Sequence, residues 1–400
     1  MARSATTFAS LRNPNFRVYF AAQIGSGIGA WIQITAENWL ILQLSDSGLA
    51  LGITNALQFG PLVFFGLYGG VLADRFDRRR LLIATQSTLA LLAGALGLLA
   101  ALHVVQLWMI WSAALLLGLV LSIDRPASLS FVKDLVGETD LPNAVALNNA
   151  ATSCGRMVGP AVSGLLIVSF GTAPSFFINA VSFGLVVLAL TRLDIARLHV
   201  ARLVERKPGQ VRDGLSYVRR DRVLWLTVVA MGVIFVAAYN FQVLVPLLAS
   251  RVLGGTSELY GAAMSCLGLG AVSGSLLVAS WVKPGAVMVA MGCALLGLVH
   301  VWLAFPLGVC FTLCGLLLLG TCCGFFNVTV SSTLQLRSRD DMRGRVMAFY
   351  SIGILGSGLV GAPLAGALAD AVGMSRTFVI IAVICVATAI ATARSGRRCR

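Results

Sequence analysis

The sequence is poor in charge. Only 12% of its 400 residues are Asp, Glu, Lys or Arg, about half the share found in soluble globular domains. Acids are the scarcer sign, 16 against 30 basic residues. At this length, so little charge excludes a string of soluble domains. Metal-binding patterns are missing too. The three histidines (His103, His199, His300) are scattered, and the nine cysteines lie almost entirely within apolar runs, so no ligand set is expected. No Gly-rich loop closes on Lys-Ser/Thr, which argues against an ATP-driven machine. No nucleophile–base pair stands out, so neither an enzyme nor a bound cofactor is expected.

Apolar residues fill the gap, at 58%. Runs long enough to cross a hydrocarbon core of about 30 Å are read at 16–44, 50–72, 81–102, 107–131, 143–170 and 173–190. Six more follow at 223–250, 257–281, 286–305, 307–330, 346–368 and 375–393. The expected fold is an all-α membrane protein of 12 transmembrane helices. Of the 30 basic residues, 27 fall in the termini and the even-numbered connections. That asymmetry predicts both termini in the cytoplasm. The basic excess therefore sets topology, and no nucleic-acid partner is expected.

A polar stretch at 191–222 divides the chain into six spans at 1–190 and six at 223–400. It carries the breaker pair Pro208-Gly209 and an amphipathic segment, VRDGLSYVRRDR, expected to lie along the cytoplasmic interface. The halves are internally similar. Val145 aligns with Val346 and Gly155 with Gly356, and Pro160 and Pro363 match within two positions. Two pseudo-symmetric six-helix bundles are expected, rocking about a midplane site.

The strongest motif joins the second and third spans: Gly69-Gly70-Val71-Leu72-Ala73-Asp74-Arg75-Phe76-Asp77-Arg78-Arg79-Arg80. Paired glycines permit close helix contact, and Asp-Arg at a membrane edge can exchange partners. This segment resembles the signature loop of the major facilitator superfamily. Trp31-Ile32-Gln33, Asp124-Arg125-Pro126-Ala127, Leu141-Pro142-Asn143-Ala144 and Arg343-Gly344-Arg345-Val346 resemble its subgroup of enterobactin exporters and macrolide-type efflux proteins. The second-half copy of the signature is reduced to Gly274-SLLVASWVKP. Gly155-Arg156-Met157-Val158-Gly159-Pro160-Ala161-Val162-Ser163-Gly164 is similar to the superfamily's antiporter motif, with Ser163 in place of one glycine and Ala146 in place of an earlier one. Close helix packing by Gly155, Gly159, Pro160 and Gly164 is the rival explanation.

The resemblance implies a secondary active exporter in the cytoplasmic (inner) membrane, usually a monomer. Its cargo would be a siderophore or drug-like compound, and the antiporter-like motif implies exchange for protons. The alternatives are an ion-coupled importer of a small metabolite and a non-transporting scaffold or receptor. Charge at membrane depth is costly and usually functional, which makes Glu37 and Asp124 the proton-coupling candidates. Glu37 beside Trp39 also fits an interfacial carboxylate. Arg156 fits either an anionic-cargo contact or a structural partner of Asp124. Trp31, Asn55, Gln58, Tyr239, Asn240 and Gln242 are polar or aromatic groups at depth. Each is either cavity lining or a bond between helices, and the superfamily's cavity-facing spans favour the former. Gly70, Asp74, Arg75, Arg79 and Arg345 form the expected gating set, with Asp74 accepting from the helix start near Gly344-Arg345.

Overall fold

The computed structural model describes residues 8–199, 210–281, 285–305 and 307–397, and these contain helices but no strand. In chain order the helices are α1 (Pro14–Ser45), α2 (Gly48–Arg75), α3 (Arg78–Ala101), α4 (Leu107–Phe170), α5 (Ala173–Thr191), α6 (Gln210–Arg220) and α7 (Arg222–Ala238). They continue with α8 (Phe241–Arg251), α9 (Ser257–Trp281), α10 (Ala286–Leu303), α11 (Val309–Arg337), α12 (Arg343–Gly356), α13 (Ala362–Val372) and α14 (Met374–Arg397). Among the described residues, ten helical stretches are long and apolar enough to cross a membrane. Helices suit that setting because they satisfy every backbone polar group within the segment. Their outer faces carry leucines such as Leu91, Leu165, Leu276 and Leu298, all exposed, as lipid contact requires.

Four expected spans look different in the folded chain. The runs at 107–131 and 143–170 join into the single 64-residue α4, folded at Gly137 with φ 71°. Glycine alone takes that backbone angle without strain, so the intervening polar segment stays helical up to the kink. The seventh run divides into α7 and α8 at Tyr239-Asn240. The eleventh contains a wide turn at Ser357–Gly361 between α12 and α13. A polar residue pair and a small-residue run let the i→i−4 ladder lapse at these places.

The chain divides into two compact units, Met1–Leu40 with Pro61–Glu205, and Ile41–Gly60 with Arg206–Arg400. The first has a core of Phe16, Tyr19, Phe131, Leu135, Val186 and Leu190. In the second, α9 and α11 meet through interlocking glycines. Gly270 and Gly274 lie on the backbone of Leu317 and Thr321, and Gly320 and Gly324 lie on Leu267 and Ala271. Any Cβ at these four positions would collide with a carbonyl oxygen, so the small side chain sets the interhelical distance.

Candidate functional site

In the first unit, the signature loop is an organising knot. Gly69 rests on the Ser122 carbonyl of α4, with no room for a Cβ. Asp77 caps α3, accepting from the Arg80 amide at 2.8 Å. Arg79 reaches the carbonyls of Leu190 (2.6 Å) and Thr191 (3.0 Å), closing the C-terminus of α5, where a cation is favoured by orphan carbonyls. Arg78 donates through Nη1 to both Asp134 carboxylate oxygens, each at 2.8 Å, and approaches Asp74 at 3.6 Å. Asp134 is 7% exposed, so its charge is answered almost wholly by Arg78. Gly70 is buried and Arg75 exposed.

Asp124 lies on α4 and is buried. It accepts from Thr85 Oγ1 at 2.6 Å and from Gln86 Nε2 at 3.0 Å, both neutral donors from α3. Nearby, Ser128 pairs with the Tyr19 hydroxyl at 2.9 Å, which also accepts from Gln23 at 2.7 Å. Glu37 is half-buried on α1 and hydrogen-bonded to Gln33. The Gln33 Oε1 accepts from Asn179 Nδ2 at 2.7 Å, and Asn179 Oδ1 accepts from Ser182 Oγ at 3.0 Å. A chain of neutral polar groups thus runs from the Glu37 carboxylate into α5. Gln33 and Asn179 are both buried.

The segment resembling the antiporter motif packs against α1. A Cβ on Gly155 would sit 2.8 Å from the Gly27 carbonyl oxygen, and one on Gly159 would sit 2.6 Å from Trp31 Cβ. Ser163 donates to the Ile32 carbonyl at 2.9 Å, so the residue that departs from the motif supplies a bond a glycine lacks. Pro160 and Gly164 are buried in the same helix. This contact carries Arg156 over the Trp31 ring, 5.2 Å from its centroid, within cation–π range.

In the second unit, Tyr239 and Asn240 occupy the break between α7 and α8. Tyr239 donates its hydroxyl to the Cys323 carbonyl at 2.8 Å and lies among the rings of Phe235 (4.7 Å), Phe241 (5.3 Å) and Phe326 (6.2 Å). Asn240 Nδ2 donates to the Val236 carbonyl at 2.7 Å. Its Oδ1 is buried without a partner among the described residues and faces Gly361 in the wide turn. Tyr350 donates to Asn327 and stacks edge-on to Phe235. Asn55 is buried and bonds its own helix at the Leu51 carbonyl, 3.0 Å away. Gln58 and Gln242 are half-buried. Arg345 contacts the Met342 sulfur at 3.4 Å.

Sequence reasoning missed a second charged cluster in this unit. Asp370 on α13 accepts from Ser47 Oγ (3.0 Å) and from the backbone amides of Gly48 and Leu49 (both 2.9 Å). It also binds Arg251 at 2.9 Å, while Arg251 reaches both the carbonyl and the carboxylate of Asp46. The available signal was an acid near the end of an apolar run, with Arg251 as one of very few basic residues in the odd-numbered connections.

The sequence profile of the family described as transmembrane secretion effector matches residues 5–398. The chain belongs to that family. It is a small-molecule transporter of the major facilitator superfamily and an integral multi-pass membrane protein, in keeping with its helices and with its relatives. This transporter is 26% identical to the Staphyloferrin A transporter of Staphylococcus aureus, over 92% of its own chain and 94% of that protein. It is 28% identical to the multidrug efflux pump Tap of Mycobacterium tuberculosis, over 96% and 94%. Against the enterobactin exporter EntS of Salmonella typhi the identity is 25%, over 89% and 86%. Its fold is similar to that of an inward-facing bacterial homolog of the lysosomal transporter Spinster, with TM-score 0.76 at 12% identity over 100% of this chain and 99% of that one.

Proposed function

We propose that this transporter is a proton-coupled antiporter that exports a siderophore or drug-like compound from the cytoplasm. The count of twelve spans follows from taking α1 as one and the two arms of α4 as two, and the arginine asymmetry puts both termini in the cytoplasm. The names of the relatives support cargo of this kind, and the efflux pump and the exporter among them support outward movement. The coupling rests chiefly on one observation: Glu37 and Asp124, in apolar helices, are hydrogen-bonded by neutral amides and hydroxyls. A carboxylate held in that way can exchange a proton without breaking an ion pair. Arg156 over Trp31 and Tyr239, part-exposed beside its buried ring neighbours, are the groups proposed to meet cargo, together with Asn55, Gln58, Asn240 and Gln242.

One observed contact is proposed as a latch in alternating access: Asp370 holds the α1–α2 connection to α8 and α13, and outward opening must release it. Gly70, Asp74, Arg75 and Arg79 of the signature loop, with Arg345, are the proposed cytoplasmic gating set.

The test is uptake of candidate siderophores and cationic dyes by inside-out vesicles with an acidic lumen. Accumulation that a protonophore abolishes, and that fails in both Glu37→Gln and Asp124→Asn at normal expression, supports the reading. Accumulation confined to right-side-out vesicles establishes import instead, and full activity in both variants removes the carboxylates from the coupling.

A further inference from the structure

Where α7 begins and α11 ends, the second unit contains a cavity of about 510 Å³ whose lining includes Tyr217, Arg220, Asp221, Arg222, Arg337 and Arg339. Four guanidinium groups face one carboxylate. That carboxylate is already engaged: Asp221 caps α7, accepting from Val223 (2.8 Å) and Leu224 (3.1 Å), and it pairs with Arg337 at 3.0 Å. Arg339 pairs with Asp341 at 3.2 Å, and its backbone amide donates to the Tyr217 hydroxyl at 3.1 Å. Arg220 and Arg222 have no ion-pair partner among the described residues. The cavity therefore keeps an unanswered positive charge at the ends of α6 and α7.

Its location narrows the ligand. α11, and α7 continued by α8, are apolar stretches long enough to cross a membrane, with Arg222 at the start of α7 and Arg337 at the end of α11. One turn into α7, Trp225 lies under Arg219 at 5.4 Å, a pairing suited to the headgroup level. The helix that supplies Tyr217 and Arg220 is α6, from the amphipathic stretch of the central segment. Arginine forks match phosphate oxygens two at a time, and basic pockets between helix ends hold the headgroups of acidic lipids. A volume of this size lies within the range of small-ligand sites.

We propose that this cavity binds a phosphate-bearing anion, supplied either by the headgroup of an acidic phospholipid or by a soluble phosphate compound. The site is independent of cargo and of the direction of transport. It differs from a purely topological arginine cluster, which needs no concavity and no defined set of residues.

The test uses the full-length protein in a neutral detergent, read by thermal unfolding and by Trp fluorescence during titration. One arm adds phosphatidylglycerol, a second phosphatidylcholine, a third inorganic phosphate. The variants are Arg339→Gln, Arg220→Gln/Arg222→Gln/Arg339→Gln and, as a charge control outside the cavity lining, Arg394→Gln near the end of α14. Wild type and Arg394→Gln should bind phosphatidylglycerol alike, with no response to phosphatidylcholine. Binding should be about threefold weaker in the single variant and at least tenfold weaker in the triple, which converts to about 1.4 kcal/mol. A response to phosphatidylglycerol alone assigns the lipid source, and competition by inorganic phosphate assigns the soluble one. Equal binding by wild type and Arg339→Gln overturns the proposal even if the triple variant does not fold. So does an equal response to phosphatidylcholine, or no response to either phosphate source.

Discussion

Asp370 holds Arg251 at 2.9 Å while caring for the first turn of another helix, its oxygens accepting from Gly48 and Leu49 at the start of α2. A cap is normally local in sequence. Here it comes from α13 and places residues 41–60 in the same compact unit as the C-terminal helices. Losing a cap costs about 1 kcal/mol, and a part-exposed ion pair about 0.2–1 kcal/mol. Asp370→Ala should therefore shift the closed arrangement by about five- to thirtyfold. Leu247, buried against Gly48, is the place to read it. In a cysteine-free background, maleimide labelling of Leu247→Cys should rise on adding Asp370→Ala, and unchanged labelling would show that the cap plays no part in closure.

Among the described residues of the first unit, Arg78 and Asp134 form the least exposed ion pair, 17% and 7% exposed. Removing one partner strands the other, at about 3–5 kcal/mol when burial is complete and less for a pair that keeps some solvent. Arg78→Gln should lower thermal stability markedly, and Arg78→Gln/Asp134→Asn should recover part of the loss. Additive single effects in that double-mutant cycle would rule out direct coupling.

Gly159 and Ser163 hold α4 to α1 by different means. A methyl at Gly159 meets Trp31 Cβ at 2.6 Å, an overpacking worth about 1–3 kcal/mol. Ser163→Gly, which restores the motif residue but removes the bond to Ile32, should cost about 1 kcal/mol. Melting of the purified variants should therefore rank Gly159→Ala at or below Ser163→Gly. If Gly159→Ala melts like the parent, α1 yields and the glycine is not required by packing.

The Glu37–Gln33–Asn179 chain has its own signature. Asn179→Leu leaves the Gln33 Oε1 without its donor, a loss of about 1–3 kcal/mol, whereas Asn179→Gln preserves the amide. Gradient-driven transport should fall several-fold in the first and recover in the second, with the pH profile displaced only in Asn179→Leu. Matching pH profiles at equal expression would reduce the chain to helix packing.

Several features were legible before folding. The paired glycines at 69–70 read as a close helix contact, and Gly69 lies on the Ser122 carbonyl, whereas the cap by Asp77 and the partners of Arg78 and Arg79 became visible only in the folded chain. The Gly-x-x-x-Gly spacing of Gly155 and Gly159 reads as close contact, since residues four apart share a helix face. Asp370 and Asn179 were not legible. Each is a polar residue in an apolar run, and the partners that define its role lie 119 or more positions away.

Composition and basic asymmetry alone determined a helical, multi-pass membrane protein, because a 30 Å apolar slab accepts few backbone solutions. The breaks at Tyr239-Asn240 and Ser357–Gly361, and the company kept by each buried carboxylate, were decided only by tertiary contact. Periodicity records which face of a helix avoids water. In lipid nearly every face does so, and the choice of neighbour passes to small residues and to hydrogen bonds between distant segments.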